Sequence, residues 1–215
     1  MKTISDIKNI LSSAKNIAVL EPHYDDAWIN VGGFMLKNPD KQFTIISCCF
    51  DGPNSLNETR FLERFLPNVK AKALLFRGIH YDDRFKLSES EYSSFFVNLN
   101  NLPSYNNFED VILEETKGFD IVLLPKGFKG KTHFHPQHIL ISGLNVSSPA
   151  LYYIEYPYFF KENKTAKNAF YFDVNDVLAN KFNIFKEVYK SQDGIFDVDT
   201  LVGRFGEFDK EVFTF

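Results

Sequence analysis

Residues 16–33 read NIAVLEPHYDDAWINVGG. The apolar run at 17–20 predicts a strand that stops at Glu21-Pro22. Just beyond it come His23, Asp25 and Asp26, and then an apolar segment holding Gly32-Gly33. A strand that ends in potential ligands and turns into a helix is how open α/β sheets build sites, since their ligands sit beyond the carboxyl ends of the strands. His23 and Asp26 are the pair expected on a metal, which leaves Asp25 to move protons. The competing reading is a capped helix start, because the unpaired N–H groups and the dipole of a first turn favour an anion.

Far along the chain, residues 131–140 read KTHFHPQHIL, with three histidines in six positions. The chain has 5 histidines, and four of them (His23, His133, His135 and His138) fall in these two short segments. Packing does not produce such a concentration. In His135-Pro136-Gln137-His138, proline suits the first turn of a helix. His135 then becomes the N-cap residue, and His138 faces the same side of the helix start. His23, Asp26 and His138 make a three-ligand set that leaves a coordination position open for water, as catalytic metal sites do. A cation so held lowers the pKa of water towards about 7 and polarises a carbonyl. Asp25 stands where a general base is needed.

At 215 residues and 24.9 kDa the chain is expected to be one domain, 1–215, able to bury a sizeable core. A net charge of -4 argues against a nucleic-acid partner, since phosphate binding needs surplus Lys and Arg. The N-terminal residues have no continuous apolar core of a signal peptide. No apolar run approaches the roughly 18 residues of a membrane span. Cys48 and Cys49 are adjacent in an apolar run, so a strand sends them to opposite faces; that is thiol usage in a reducing compartment, and the expected location is the cytoplasm.

The rest of the chain alternates. Strands are predicted at 42–50, 71–76, 119–125 and 150–156, with an edge strand near 169–172. Helices are predicted for the opening residues and at 27–37, 57–65, 108–117, 136–143 and 175–190; residues 88–104 and the final stretch carry no clear pattern. Such alternation predicts an α/β fold, Rossmann-like, with a mostly parallel sheet and helices on both faces. The aromatic-rich segment 151–160, LYYIEYPYFF, suits a core strand better than a sugar-binding cleft, because aromatics favour strands and dominate cores.

Two other patterns lead away from this site. Residues 125–132, PKGFKGKT, resemble a P-loop, but proline stands at the first glycine position and Pro136 interrupts the helix that should follow. His23-x-Asp25 with a distant histidine mimics the iron(II) facial triad, whose usual setting is an all-β barrel.

Pro22-His23-Tyr24-Asp25-Asp26, Gly32-Gly33 and His135-Pro136-Gln137-His138 together resemble the LmbE-like de-N-acetylases, also called the PIG-L superfamily. Weaker echoes are Asp51-Gly52, Arg60-x-x-Glu63 and Tyr189-Lys190-Ser191-Gln192. The resemblance implies a Rossmann-like zinc hydrolase that removes an acetyl group from an N-acetylated sugar or glycoconjugate. It implies His23, Asp26 and His138 as zinc ligands, Asp25 as base, and His135 as oxyanion stabiliser or acid to the leaving amine. Iron(II) or another divalent metal fits the same ligands. Arg60 falls where the family tends to contact substrate hydroxyls, although an i,i+3 pair with Glu63 explains it equally well. Apart from the resemblance, His133 is expected against substrate, and so is Asp83 in a second His-Tyr-Asp-Asp at 80–83, which lacks a following Gly-Gly pair and reads as a cleft-rim loop or else as a plain surface turn. The chain departs from the family at Tyr24 (usually proline), at Trp28 (often acidic) and at Gln137 (aspartate). The first two are expected to change the lining of the site, and the third to make an imidazolium at His135 less favoured. A non-catalytic sugar- or metal-binding protein on the same fold is the alternative. The sequence leaves the oligomeric state open.

Overall fold

The computed structural model describes residues 3–50, 53–77, 108–127, 136–156, 168–189 and 209–215. Helix α1 (Ile4–Ser13) leads into strand β1 (Asn16–Glu21), helix α2 (Asp26–Lys37), β2 (Gln42–Phe50), α3 (Pro53–Phe65) and β3 (Val69–Arg77). Then come α4 (Phe108–Glu115), β4 (Ile121–Pro125), α5 (Pro136–Ser142), β5 (Ala150–Tyr153) and β6 (Phe170–Asp173). A 3-10 turn (Asn175–Val177), α6 (Leu178–Val188) and β7 (Lys210–Thr214) complete the described elements.

The strands form one 7-stranded sheet in the order β3-β2-β1-β4-β5-β7-β6. The first five are parallel, and β7 pairs antiparallel with both β5 and β6. Central strand β1 is buried from Ile17 to Glu21, as a strand covered on both faces must be. Alternation sends Ile17 and Val19 of β1 to one face, where they meet Ile7 and Leu11 of α1, Trp28 and Phe34 of α2, and Phe185 of α6. Ala18 and Leu20 go to the other, against Phe108 and Ile112 of α4 and Ile141 of α5. Helices therefore cover both faces, and each fully buried aliphatic or Phe side chain contributes about 1.5–3 kcal/mol.

Local chemistry sets the ends of these elements. Thr3 and Asp6 form a reciprocal capping box that starts α1, worth about 1 kcal/mol. Gly33 of α2 is required for packing: a Cβ there would lie 2.6 Å from Cγ1 of Val174 and 3.1 Å from Oε1 of Glu211.

Several boundaries differ from the sequence expectation. The strand predicted over 150–156 stops at Tyr153, and the helix predicted from residue 175 begins with a 3-10 turn before α6. Strand β7 was not predicted, and it separates β5 from the edge strand β6. Residues 88–104 lie outside the described residues, as does Cys49's side chain; Cys48 is buried.

Candidate metal centre

The strand order reverses between β1 and β4, and β1 delivers His23, Asp25 and Asp26 at its carboxyl end, at the switch point where open α/β sheets bind ligands. The turn is built by its own residues. Asp26 Oδ2 accepts the His23 N–H at 2.9 Å, and the Asp26 N–H donates to the His23 carbonyl at 3.3 Å. Asp25 occupies the N-cap position of α2, yet its side chain makes no capping bond. Buried Glu21 supplies part of the missing cap. Its Oε2 accepts the Ala27 N–H at 2.9 Å, and its Oε1 accepts the Ser47 hydroxyl. Asp25 therefore does not cap α2 through its side chain.

His138 arrives from α5, in the turn that starts at Pro136. Its Nε2 lies 3.0 Å from His23 Nδ1 and 3.4 Å from Asp26 Oδ2, and His23 Nδ1 lies 3.2 Å from Asp26 Oδ2. Donors bound at about 2.0–2.1 Å to one tetrahedral centre stand roughly 3.3 Å apart. Two imidazoles and a carboxylate at these separations therefore fit a divalent cation such as zinc or iron(II). On its other side, His138 Nδ1 donates to Oε1 of Glu155, whose Oε2 accepts the Gly127 N–H at 3.0 Å. That carboxylate orients the ring and leaves Nε2 as the nitrogen facing the other two donors.

Electrostatics separates the two aspartates. Burial and the neighbouring negative charge of Asp26 raise Asp25 to about 7, against the opposing pull of His23 and His138. Burial also acts to raise Asp26, but the imidazoles of His138 and His23 and the His23 N–H outweigh it and hold this carboxyl well below its ordinary value. Burial lowers His138, and Asp26 with Glu155 reverses the sign, so its value is raised. Burial raises Glu21 well above the ordinary value, Ser47 and Ala27 oppose it, and Asp26 and Asp25 add to it. Adjacent carboxyl groups held at opposite ends of their range are a usual sign of divided roles.

Among the other predicted site residues, Arg60 is exposed on α3, and no ion pair joins it to Glu63, whose Oε1 instead accepts the Ala71 N–H at 2.7 Å. His133, His135 and Asp83 lie outside the described residues. Tyr24 is half-buried beside Tyr189, with ring centroids 6.2 Å apart. Trp28 corrects an expectation: it does not line the site but is fully buried in the core, its Nε1–H donating to the Lys181 carbonyl at 3.0 Å. Gln137 is buried beside His138 in sequence. Glu155 and Asn30 were not singled out from the sequence. The signal for Glu155 was a lone carboxylate inside LYYIEYPYFF, since a buried charge needs a partner; Asn30 gave none.

No protein-family model and no curated protein sequence matches the chain. Solved structures do. A zinc-inhibited form of teicoplanin deacetylase Orf2 matches with 14% identity over 93% of this chain and 97% of its own, at TM-score 0.65. The N,N'-diacetylchitobiose deacetylase from Pyrococcus horikoshii matches with 16% identity over 97% of this chain and 86% of its own, at TM-score 0.56. GalB, a 4-carboxy-2-hydroxymuconate hydratase from a Pseudomonas, matches with 10% identity over 93% and 94%, at TM-score 0.50. At these identities the likeness speaks to the fold: this chain has the fold of the LmbE-like, or PIG-L, deacetylases.

Proposed function

We propose that this protein is a metal-dependent hydrolase that removes an acetyl group from an N-acetylated sugar or glycoconjugate, with residues 1–215 acting as one LmbE-like domain. The observation that carries the reading is the convergence of His23 Nδ1, Asp26 Oδ2 and His138 Nε2 within 3.0–3.4 Å of one another, with the buried, uncapped Asp25 next in the chain. The deacetylases that share the fold support it.

His23, Asp26 and His138 would hold the cation, which when bound would supply Lewis acidity and acidify water at neutral pH. Asp25 takes the proton of the attacking water, so that a C–O bond forms at the acetyl carbon. His135 steadies the developing oxyanion and passes a proton to the nitrogen as the C–N bond breaks, giving acetate and a free amine. Arg60, His133 and Asp83 contact the substrate. Zinc is the proposed cation, with iron(II) the competitor on the same donors. The substrate is a small molecule, with no nucleic acid involved, and the proposed location is the cytoplasm. Among the described residues, no helix is long and apolar enough to cross a membrane.

Elemental analysis of protein purified without added metal, followed by acetate release from a panel of N-acetylated sugars with zinc or iron(II) restored, tests the reading. One cation per chain and acetate from some panel member are expected. A loaded protein that binds panel sugars without releasing acetate would establish the non-catalytic alternative instead.

A further inference from the structure

Asn30 sits one turn into α2, with its side chain buried, where its poor helix propensity works against it by a few tenths of a kcal/mol relative to alanine. Its amide makes two bonds that go to different parts of the fold. Nδ2 donates to the backbone carbonyl of Asp26 at 2.8 Å, and Oδ1 accepts the backbone N–H of Tyr156 at 2.6 Å. A carbonyl can only accept and an N–H can only donate, so these partners fix the orientation of the amide. Tyr156 adjoins Glu155, whose carboxylate holds His138, and Nε2 of His138 returns to Asp26 at 3.4 Å. The contacts close into a ring: Asp26, Asn30, Tyr156, Glu155, His138 and Asp26 again.

Two segments supply the donor atoms of the centre. His23 and Asp26 come from the turn after β1, and His138 comes from α5, oriented by a residue after β5. Within the ring, Asn30 is the side chain that joins the backbone of the Asp26 segment to the backbone that carries Glu155. We infer that Asn30 is a positioning residue for the metal centre, setting the separation between Asp26 and the Glu155-held imidazole of His138 without itself touching the cation. The inference rests on the proposed metal-dependent function. It adds that the ligand spacing is governed from within α2, one turn beyond the segment that supplies His23 and Asp26. Neither leucine, which lacks both polar groups, nor serine, which is too short to span both partners, can replace the bridge.

The test uses the full chain stripped of metal with a chelator and titrated with cobalt(II), read by the visible d–d absorption bands and by competition with a chelating dye. The unmodified protein is expected to bind one cobalt. Asn30→Leu and Asn30→Ser are expected to fold, to bind cobalt at least about 10-fold more weakly, the scale for groups that orient metal ligands, and to change the band pattern. A residue that only satisfies the Tyr156 N–H would lower the melting temperature and leave affinity and bands unchanged; that outcome in the folded variants overturns the inference and spares the metal site. If Asn30→Leu does not fold, Asn30→Ser alone decides. Failure of the unmodified protein to bind cobalt would remove the metal centre, and the positioning role with it.

Discussion

Glu155 accepts the Nδ1 proton of His138 in the protein interior, where both side chains are 2% exposed. This contact decides which imidazole nitrogen looks towards His23 and Asp26. Glu155→Gln keeps an acceptor but loses the charge that supports the ring, and its amide nitrogen must face either the His138 ring or the Gly127 N–H. Metal affinity is expected to fall by about 10–100-fold, measured against a competing chelator. An unchanged affinity would show that Glu155 serves the Gly127 loop and not the ring.

Asp25 and Asp26 are neighbours for which the proposed function assigns separate roles. Asp25→Asn is expected to keep metal affinity within a few-fold and to lower turnover by about 10²–10⁴, the usual contribution of a general base. Asp26→Asn is expected to lose the metal itself. Calorimetric metal titrations beside acetate-release rates check both, and equal loss of binding and turnover in the two variants would contradict the division.

The metal-free protein should grow less stable as pH rises through the range set by Asp25. Below its ordinary value of 3.8 both folded and unfolded chains hold this proton; with rising pH the unfolded chain releases it first, and the folded chain retains it to about 7. The unfolded state then binds fewer protons, so stability falls across that interval. Glu21 and Glu211 are shifted in the same direction, so Asp25→Asn should reduce the slope without abolishing it. Urea melts of both proteins between those limits read the difference.

Lys181 and Glu211 form a fully buried ion pair at 2.7 Å against α2. The ammonium also donates to the Ile29 carbonyl at 2.6 Å, and the carboxylate accepts the Gly33 and Phe34 N–H groups, each at 2.7 Å. Removing one partner leaves the other charge buried and alone. Lys181→Met is therefore expected to cost about 3–5 kcal/mol, read as a lowered urea midpoint. A loss below about 1 kcal/mol would mean that Glu211 takes up a proton at little cost.

The residues that announced themselves in the sequence carried distinctive chemistry in short segments. His23 and His138, two of the four clustered histidines, marked the candidate centre, and the run at 17–20 ending in Glu21-Pro22 marked the strand that leads into it. The parallel sheet followed from the alternation of apolar runs and amphipathic segments. Strand β7 escaped because KEVFT pairs two apolar residues with two charged ones and resembles surface, whereas Glu211 is buried through a lysine 30 positions away. Trp28 stands in a motif that points to the site, but helical periodicity carries it to the core side of α2. Asn30 was silent because both its partners are backbone groups, which every residue type supplies.

Glu211 follows Gly33 by 178 residues, so the carboxylate that grips the middle of α2 is synthesised long after the helix it holds. A ribosome-bound chain that has already made both histidine segments still lacks that grip, and its sheet still lacks the strand that joins β5 to β6. The segments that supply the candidate ligands are thereby made well before the residue that fixes the middle of α2, so during translation that helix stands for a time without its buried carboxylate partner.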